Sequence, residues 1–263
     1  MQKLLFGIAL ALMAAKAQAA GLNIGNGAAV AFGNALVDLG CGDLIVDGNA
    51  NTNAANISSL GNLTVAVGGT LTVGSGRIAL GGDFANASTF TPGTGQVLIG
   101  DACSSGISHI AGANTFYDLT IASGAGKQIV FAAGLLQSVA HAFTLQGTAG
   151  NLLRVTSSMT GTKARLAIAA GAEQTVAYVD ARDNDASGGS TIAPGAASSY
   201  RSVDGGGLVN WFGSLVGAHG GAAPAPALGT WAALLLAVLL TTFAWKRSHA
   251  EQPPSASLLP FPK

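Results

Sequence analysis

Acidic side chains are scarce in this chain of 263 residues, and one stretch concentrates them. "VDARDNDASGG" brings Asp180, Asp183 and Asp185 together with Asn184. Clustered carboxylate and amide oxygens suit a hard cation such as Ca²⁺. The stretch lacks the spacing and the closing Glu of an EF-hand. The same residue types build turns by bonding their own backbone. A turn accounts for every residue here, so no cofactor and no metal is expected, with Asp180, Asp183 and Asp185 as the one Ca²⁺ candidate.

Other chemistry is thinner still. His109, His141, His219 and His249 show no H-x-x-x-H spacing, and no C-x-x-C occurs; neither pattern of a transition-metal site is present. No G-x-S-x-G marks a nucleophile, and the Gly-rich stretches lack the Lys of a phosphate loop. The sequence therefore predicts no enzyme. Two cysteines remain, Cys41 and Cys103. In an oxidising compartment they would form a disulfide contributing about 3–4 kcal/mol by loop entropy; the alternative is two buried free thiols.

The compartment is argued from the two ends. "MQKLLFGIALALMAAKAQAAG" has a positive Lys3, an apolar run from Leu4 to Ala15, and Ala17-Gln18-Ala19 as an A-x-A site. These are the parts of a secretory signal peptide, residues 1–19, cleaved after Ala19. At the other end, Leu228 to Trp245 carries no charge. At about 1.5 Å per residue it would span about 27 Å, close to the hydrocarbon core of a bilayer. Trp231 and Trp245 fall near its ends and Lys246-Arg247 follow, as expected of a membrane helix with a cytoplasmic tail over 246–263. A Gly/Ala/Pro linker, 214–227, leads into it.

Between the ends, charge is low. From Ala20 to Ala223 there are seven Lys/Arg and eleven acids, a net of −4. No basic cluster exists there, which argues against nucleic acid. Short apolar runs recur instead: "NLTVAV" from Asn62, "TLTVGS" from Thr70, "RIAL" from Arg77, "QVLIG" from Gln96, then "DLTIAS", "QIVFAA", "AFTLQG", "LLRVTS", "ARLAIA" and "QTVAYVD". They are too short for helices, and Gly, Asn, Ser or Asp separates them, so the fold class is all-β over 20–213. Many runs are apolar for several consecutive residues, where a sandwich strand with one wet face would alternate. Stacked similar units predict a parallel β-solenoid, with a β-sandwich as the alternative. The Asn-rich "GNANTNAANISSLGN" reads either as a stacked Asn ladder or as a surface loop.

Two resemblances add to this. Pro226, Leu228 and Trp231, the apolar run and Lys246-Arg247 resemble C-terminal sorting signals of the IPTL-CTERM type, relatives of PEP-CTERM signals in Gram-negative bacteria. Ala225, Ala227 and Gly229-Thr230 depart from the family's letters. The resemblance implies an exosortase-type transpeptidase as partner and processing to the cell surface; without processing, the chain is a single-pass inner-membrane protein facing the periplasm. "GGDFANASTFTPGTGQVLIG", "ANTFYDLTIASGAGKQIVF" and the closing Val209-Asn210-Trp211 resemble exported right-handed β-helix proteins described as haemagglutinin-like or adhesin-like. That likeness implies a right-handed parallel β-helix displayed outside the cell. The expected function is structural or adhesin-like, with an exopolysaccharide or surface ligand as partner. The alternative is a carbohydrate-active lyase or hydrolase on the same fold, which would need paired carboxylates in a cleft.

Overall fold

The computed structural model describes residues 21–104 and 106–213. They form a parallel β-solenoid of about eight turns. Every strand pair is parallel, and strands inside each sheet pair with their counterparts one turn earlier and one turn later. The expected β-sandwich alternative is not adopted. Signal residues Ala17 and Ala19, the membrane segment 228–245, and Pro226, Leu228, Trp231, Lys246 and Arg247 lie outside the described residues. Among the described residues no helix is long and apolar enough to cross a membrane.

Three sheets wall the solenoid. A front sheet of nine strands runs from Leu22–Ile24 through Leu44–Val46, Leu63–Val65, Phe84–Asn86, Ile107–Ala111, Gln128–Phe131, Leu153–Ser157 and Val179–Ala181 to Val203–Asp204. A short sheet holds Ala29–Ala31, Asn49–Asn51, Thr70–Thr72 and Thr89–Thr91. A back sheet starts at Leu36–Asp38, Asn56–Leu60, Arg77–Leu80 and Gln96–Ile99. It continues through Asn114–Ala122, Leu136–Gln146 and Ala164–Ile168 to Asn184–Asp185, and Glu173–Ala177 pairs with Leu136–Gln146.

The register explains the apolar runs. Leu22, Leu44, Leu63, Phe84, Ile110 and Phe131 stack on one another inside the front sheet. Ile57, Ile78, Val97, Leu119 and Phe143 do the same inside the back sheet. From the second turn on, these side chains are at most 2% exposed. The length of a turn varies, but the strand register is kept from turn to turn, so each apolar side chain sits on another. A slip of one residue would turn the whole row outward.

Corners are made by tight backbone. Gly68, Gly74 and Gly93 have positive φ, and side chains at Gly74 or Gly93 would strike the backbone of the turn below at 2.2 Å. Polar columns tie the corners along the stack. Asp43 Oδ1 accepts from Asn62 N (2.7 Å), Asn62 Oδ1 from Asp83 N (2.7 Å), and Asp83 Oδ1 from His109 N (2.7 Å). Asn86, Asn114 and Gln137 form an amide ladder at another corner, at 2.9 and 2.8 Å. Each link satisfies a backbone or amide group that the fold removes from bulk water.

Candidate functional site

The short sheet is the most regular surface of the molecule. Its strands read Ala-Val-Ala, Asn-Ala-Asn, Thr-Leu-Thr and Thr-Phe-Thr. The central residue of each points inward, and the flanking ones form two outward ranks in register: Ala29, Asn49, Thr70, Thr89 and Ala31, Asn51, Thr72, Thr91. Parallel strands stand about 4.8 Å apart and alternate residues about 6.6 Å apart, so the ranks form a flat grid of hydroxyl, amide and methyl groups. No charged residue belongs to these strands. A shallow groove of about 350 Å³ runs between the ranks along Asn49, Asn51, Thr70 and Thr72. Further along the stack, Thr115, Ser138, Ala167 and Gly188, with Val139 and Ile168, line a second uncharged groove of about 580 Å³.

The acidic stretch is taken apart by the turns. Asp180 stands on the front sheet opposite Arg154 and Val203. Asp183 occupies a left-handed corner (φ 52°), and its Oδ2 accepts from Gly161 N at 3.2 Å. Asp185 Oδ1 accepts from Ser187 N at 2.8 Å, a turn closed by the side chain. Asn184 is buried and donates to Val155 O and Arg182 O. Asp183 and Asp185 thus serve different backbone N–H groups, and Asp180 stands on another sheet. Among the described residues no group of three or more His, Cys, Asp or Glu is placed to hold a metal.

Two histidines find carboxylates. His109 Nδ1 lies 3.2 Å from Asp83 Oδ1, and His141 Nδ1 lies 2.8 Å from Asp118 Oδ1. The His141 ring also stacks on Tyr117 at 4.7 Å. Both histidines are more than half exposed, so each contact is a solvated surface pair.

The densest chemistry lies under a strap that sequence reasoning missed. After Ile99 the chain leaves the back sheet, and Asp101–Ser104 folds back along the corner. Cys103 reaches Cys41, and the two are joined in a disulfide with Cα atoms 5.2 Å apart. The strap lies against Gly81: a Cβ there would be 1.4 Å from Ala102 O, so glycine is required. Beneath it, Lys127 is fully buried. Its Nζ donates to Gly81 O at 2.6 Å and to Ser104 O at 2.5 Å. Burial pushes the amine below its ordinary pKa, against the pull of the Asp101 and Asp83 charges. Asp101 Oδ2 accepts from Gly124 N and Ala125 N, while its Oδ1 is buried without a partner among the described residues. An ammonium gripped by two carbonyls is a pin: it fastens the strap to the stack and is not presented to solvent. Its partners are 23 and 46 residues away in sequence, so no local motif could have revealed it.

Asp38, near the same bridge, has its pKa lowered by the backbone N–H of Gly40, which it accepts at 3.0 Å, and then by Ser59.

Set beside known proteins, the chain matches no family model, no curated protein and no solved structure.

Proposed function

We propose that the chain is an exported structural or adhesin-like protein that presents its uncharged short sheet to an extended neutral partner, such as an exopolysaccharide. The two in-register ranks of Asn and Thr carry this reading. A grid that repeats turn after turn matches a ligand that repeats as well, and it adds contacts through multiplicity rather than through one deep pocket. Parallel crossovers are right-handed in about 98% of cases, which supports the right-handed winding expected from the resemblance. The apolar and basic segments at the ends support export, anchoring at the inner membrane, and sorting to the surface by an exosortase-type enzyme.

Two measurements test this. Protease shaving of intact cells, followed by intact-mass analysis of the envelope form, reads display and processing; protection from the protease and a mass retaining residues 1–19 would sink export. Pull-down on insoluble and soluble neutral polysaccharides then reads the face. Thr72→Lys is expected to weaken capture at least tenfold. Undiminished capture by that variant, or release of sugar fragments by the native chain, would overturn the reading in favour of another face or of an enzyme.

A further inference from the structure

The two ends of the stack are finished differently. At the far end Trp211 is fully buried and packs on Phe212, with ring centroids 5.7 Å apart. Tyr200, at the end of the one-turn helix Ala197–Tyr200, lies over the same Phe212 at 6.2 Å. Aromatic side chains close the core there.

At the near end the core is open. The first turn is Leu22–Ile24, Ala29–Ala31 and Leu36–Asp38, and among the described residues no strand pairs with its outer edge. Val30 points inward like Ala50 above it, yet is 37% exposed where Ala50 is 3%. Leu22 and Val37 are half-buried, although their neighbours Leu44 and Ile57 are sealed. Phe32 N donates to Asn51 O, and Ala28 O accepts from Asn49 N. Residues 28 and 32 therefore turn toward the second coil, and the N–H and C=O groups of Ala29 and Ala31 face away from it. The first turn's one charge is Asp38, exposed at the end of its third strand and accepting from Gly40 N; from Gly21 to Val37 there is no charged residue and no proline. Those are the devices by which sheet edges are ordinarily protected from pairing.

An apolar mouth bordered on three sides by free backbone groups has a specific complement. A lone extended segment would pair with one side and leave the mouth open. A second coil of the same cross-section pairs with all three sides and closes the core. We infer that the first turn is a self-recognition surface, through which two copies join end to end in a head-to-head dimer. The two-fold arrangement sets the edge strands antiparallel across the junction. Because the far end is closed, the contact terminates at two copies and does not grow into a filament. Cleavage after Ala19 would leave only Ala20 ahead of Gly21, too little chain to fold over the mouth. The dimer rests on the removal of residues 1–19 proposed above, and not on the anchoring.

The test uses the full chain purified from the envelope of an exporting host in non-ionic detergent. Molar mass is measured by light scattering with the micelle subtracted, at tens of micromolar, a concentration at which a micromolar Kd shows as dimer. The native chain is expected to be a dimer. Ala31→Pro, which removes an outward N–H, and Val30→Lys, which places a charge in the mouth, are expected to be monomers with an unchanged β circular-dichroism spectrum. Thr72→Lys, away from the edge, stays dimeric. A monomeric native chain, or dimers untouched by both edge variants, overturns the proposal. Should both variants misfold, Ala31→Cys with a short bis-maleimide in intact envelopes decides: a cross-linked dimer supports head-to-head contact, and its absence refutes it.

Discussion

The first four turns and the turns that follow solve one problem in two ways. Up to Ile99 each turn has three separate short strands and three corners, and its outward residues are mostly Ala, Asn, Thr and Ser. From Asn114 the back and short faces merge. Asn114–Ala122 and Leu136–Gln146 each run through what was a corner, with a register shift between Phe116 and Asp118. The shift lets Tyr117 project and stack on His141. Most of the described charged residues fall in this second region. The first region is therefore a repeating surface, and the second a varied one built on the same core. Repetition outside requires three flat walls; a wall that bends around a corner gives up the grid and gains positions for individual side chains.

Perturbations should separate the two regions. The joint between them is an aromatic cluster: Phe84, Phe90 and Phe116, with centroids 5.1–5.6 Å apart. Phe116 is fully buried, so Phe116→Ala should cost about 3–5 kcal/mol. It should also split calorimetric unfolding into two transitions; one cooperative transition would mean the regions fold as a unit regardless of the joint. Replacing both Cys41 and Cys103 by Ser should cost about 3–4 kcal/mol. Hydrogen exchange should then accelerate mainly between residues 21 and 104, and a uniform increase would erase the distinction.

Lys127→Met should cost about 1–3 kcal/mol, because Ser104 O loses its donor inside the structure. It also tests a pH effect. Burial lowers the folded amine's pKa below its ordinary 10.5. Between the folded value and 10.5 the unfolded chain binds more protons, so stability should rise with pH across that window. The rise should vanish in Lys127→Met, and its persistence would assign it to another group. The smallest effect is expected on the grid. Thr72→Ala should change stability by less than about 0.5 kcal/mol while weakening capture by neutral polysaccharide; a large stability loss would show that the rank serves the fold rather than a partner.

Legibility did not follow the same division. "RIAL" and "QVLIG" in the first region are Arg77–Leu80 and Gln96–Ile99, and "QIVFAA" and "ARLAIA" in the second are Gln128–Phe131 and Ala164–Ile168, with little adjustment. The first strands of the short sheet were the least readable. Ala29–Ala31 and Asn49–Asn51 hold mainly Ala and Asn, whose β preference is low, and stacking on the turn above holds them as strands. The Asn-rich segment gives neither an Asn-on-Asn ladder nor a plain loop: Asn49 and Asn51 lie in a strand, in register with Ala29 and Ala31 on one side and Thr70 and Thr72 on the other. The strap was invisible for another reason. Its meaning depends on Gly81 being beneath Ala102, a contact between turns that no periodicity encodes. The three aspartates of 180–185 looked like a site because they are close in sequence, and the corner at Asp183 sends them to different walls.

The disulfide has a consequence for a chain held at one end and loaded at the other. A solenoid under tension yields turn by turn, since neighbouring turns are joined in series by short strand pairs. Each released turn lengthens the chain and dissipates work. The bridge between Cys41 and Cys103 spans 62 residues. At about 3.4 Å per extended residue, it withholds about 210 Å of extension from any pull on the termini. The second to fourth turns would stay wound while the turns after Cys103 paid out, so three of the grid's four strands, Asn49–Asn51, Thr70–Thr72 and Thr89–Thr91, would keep their shape under shear.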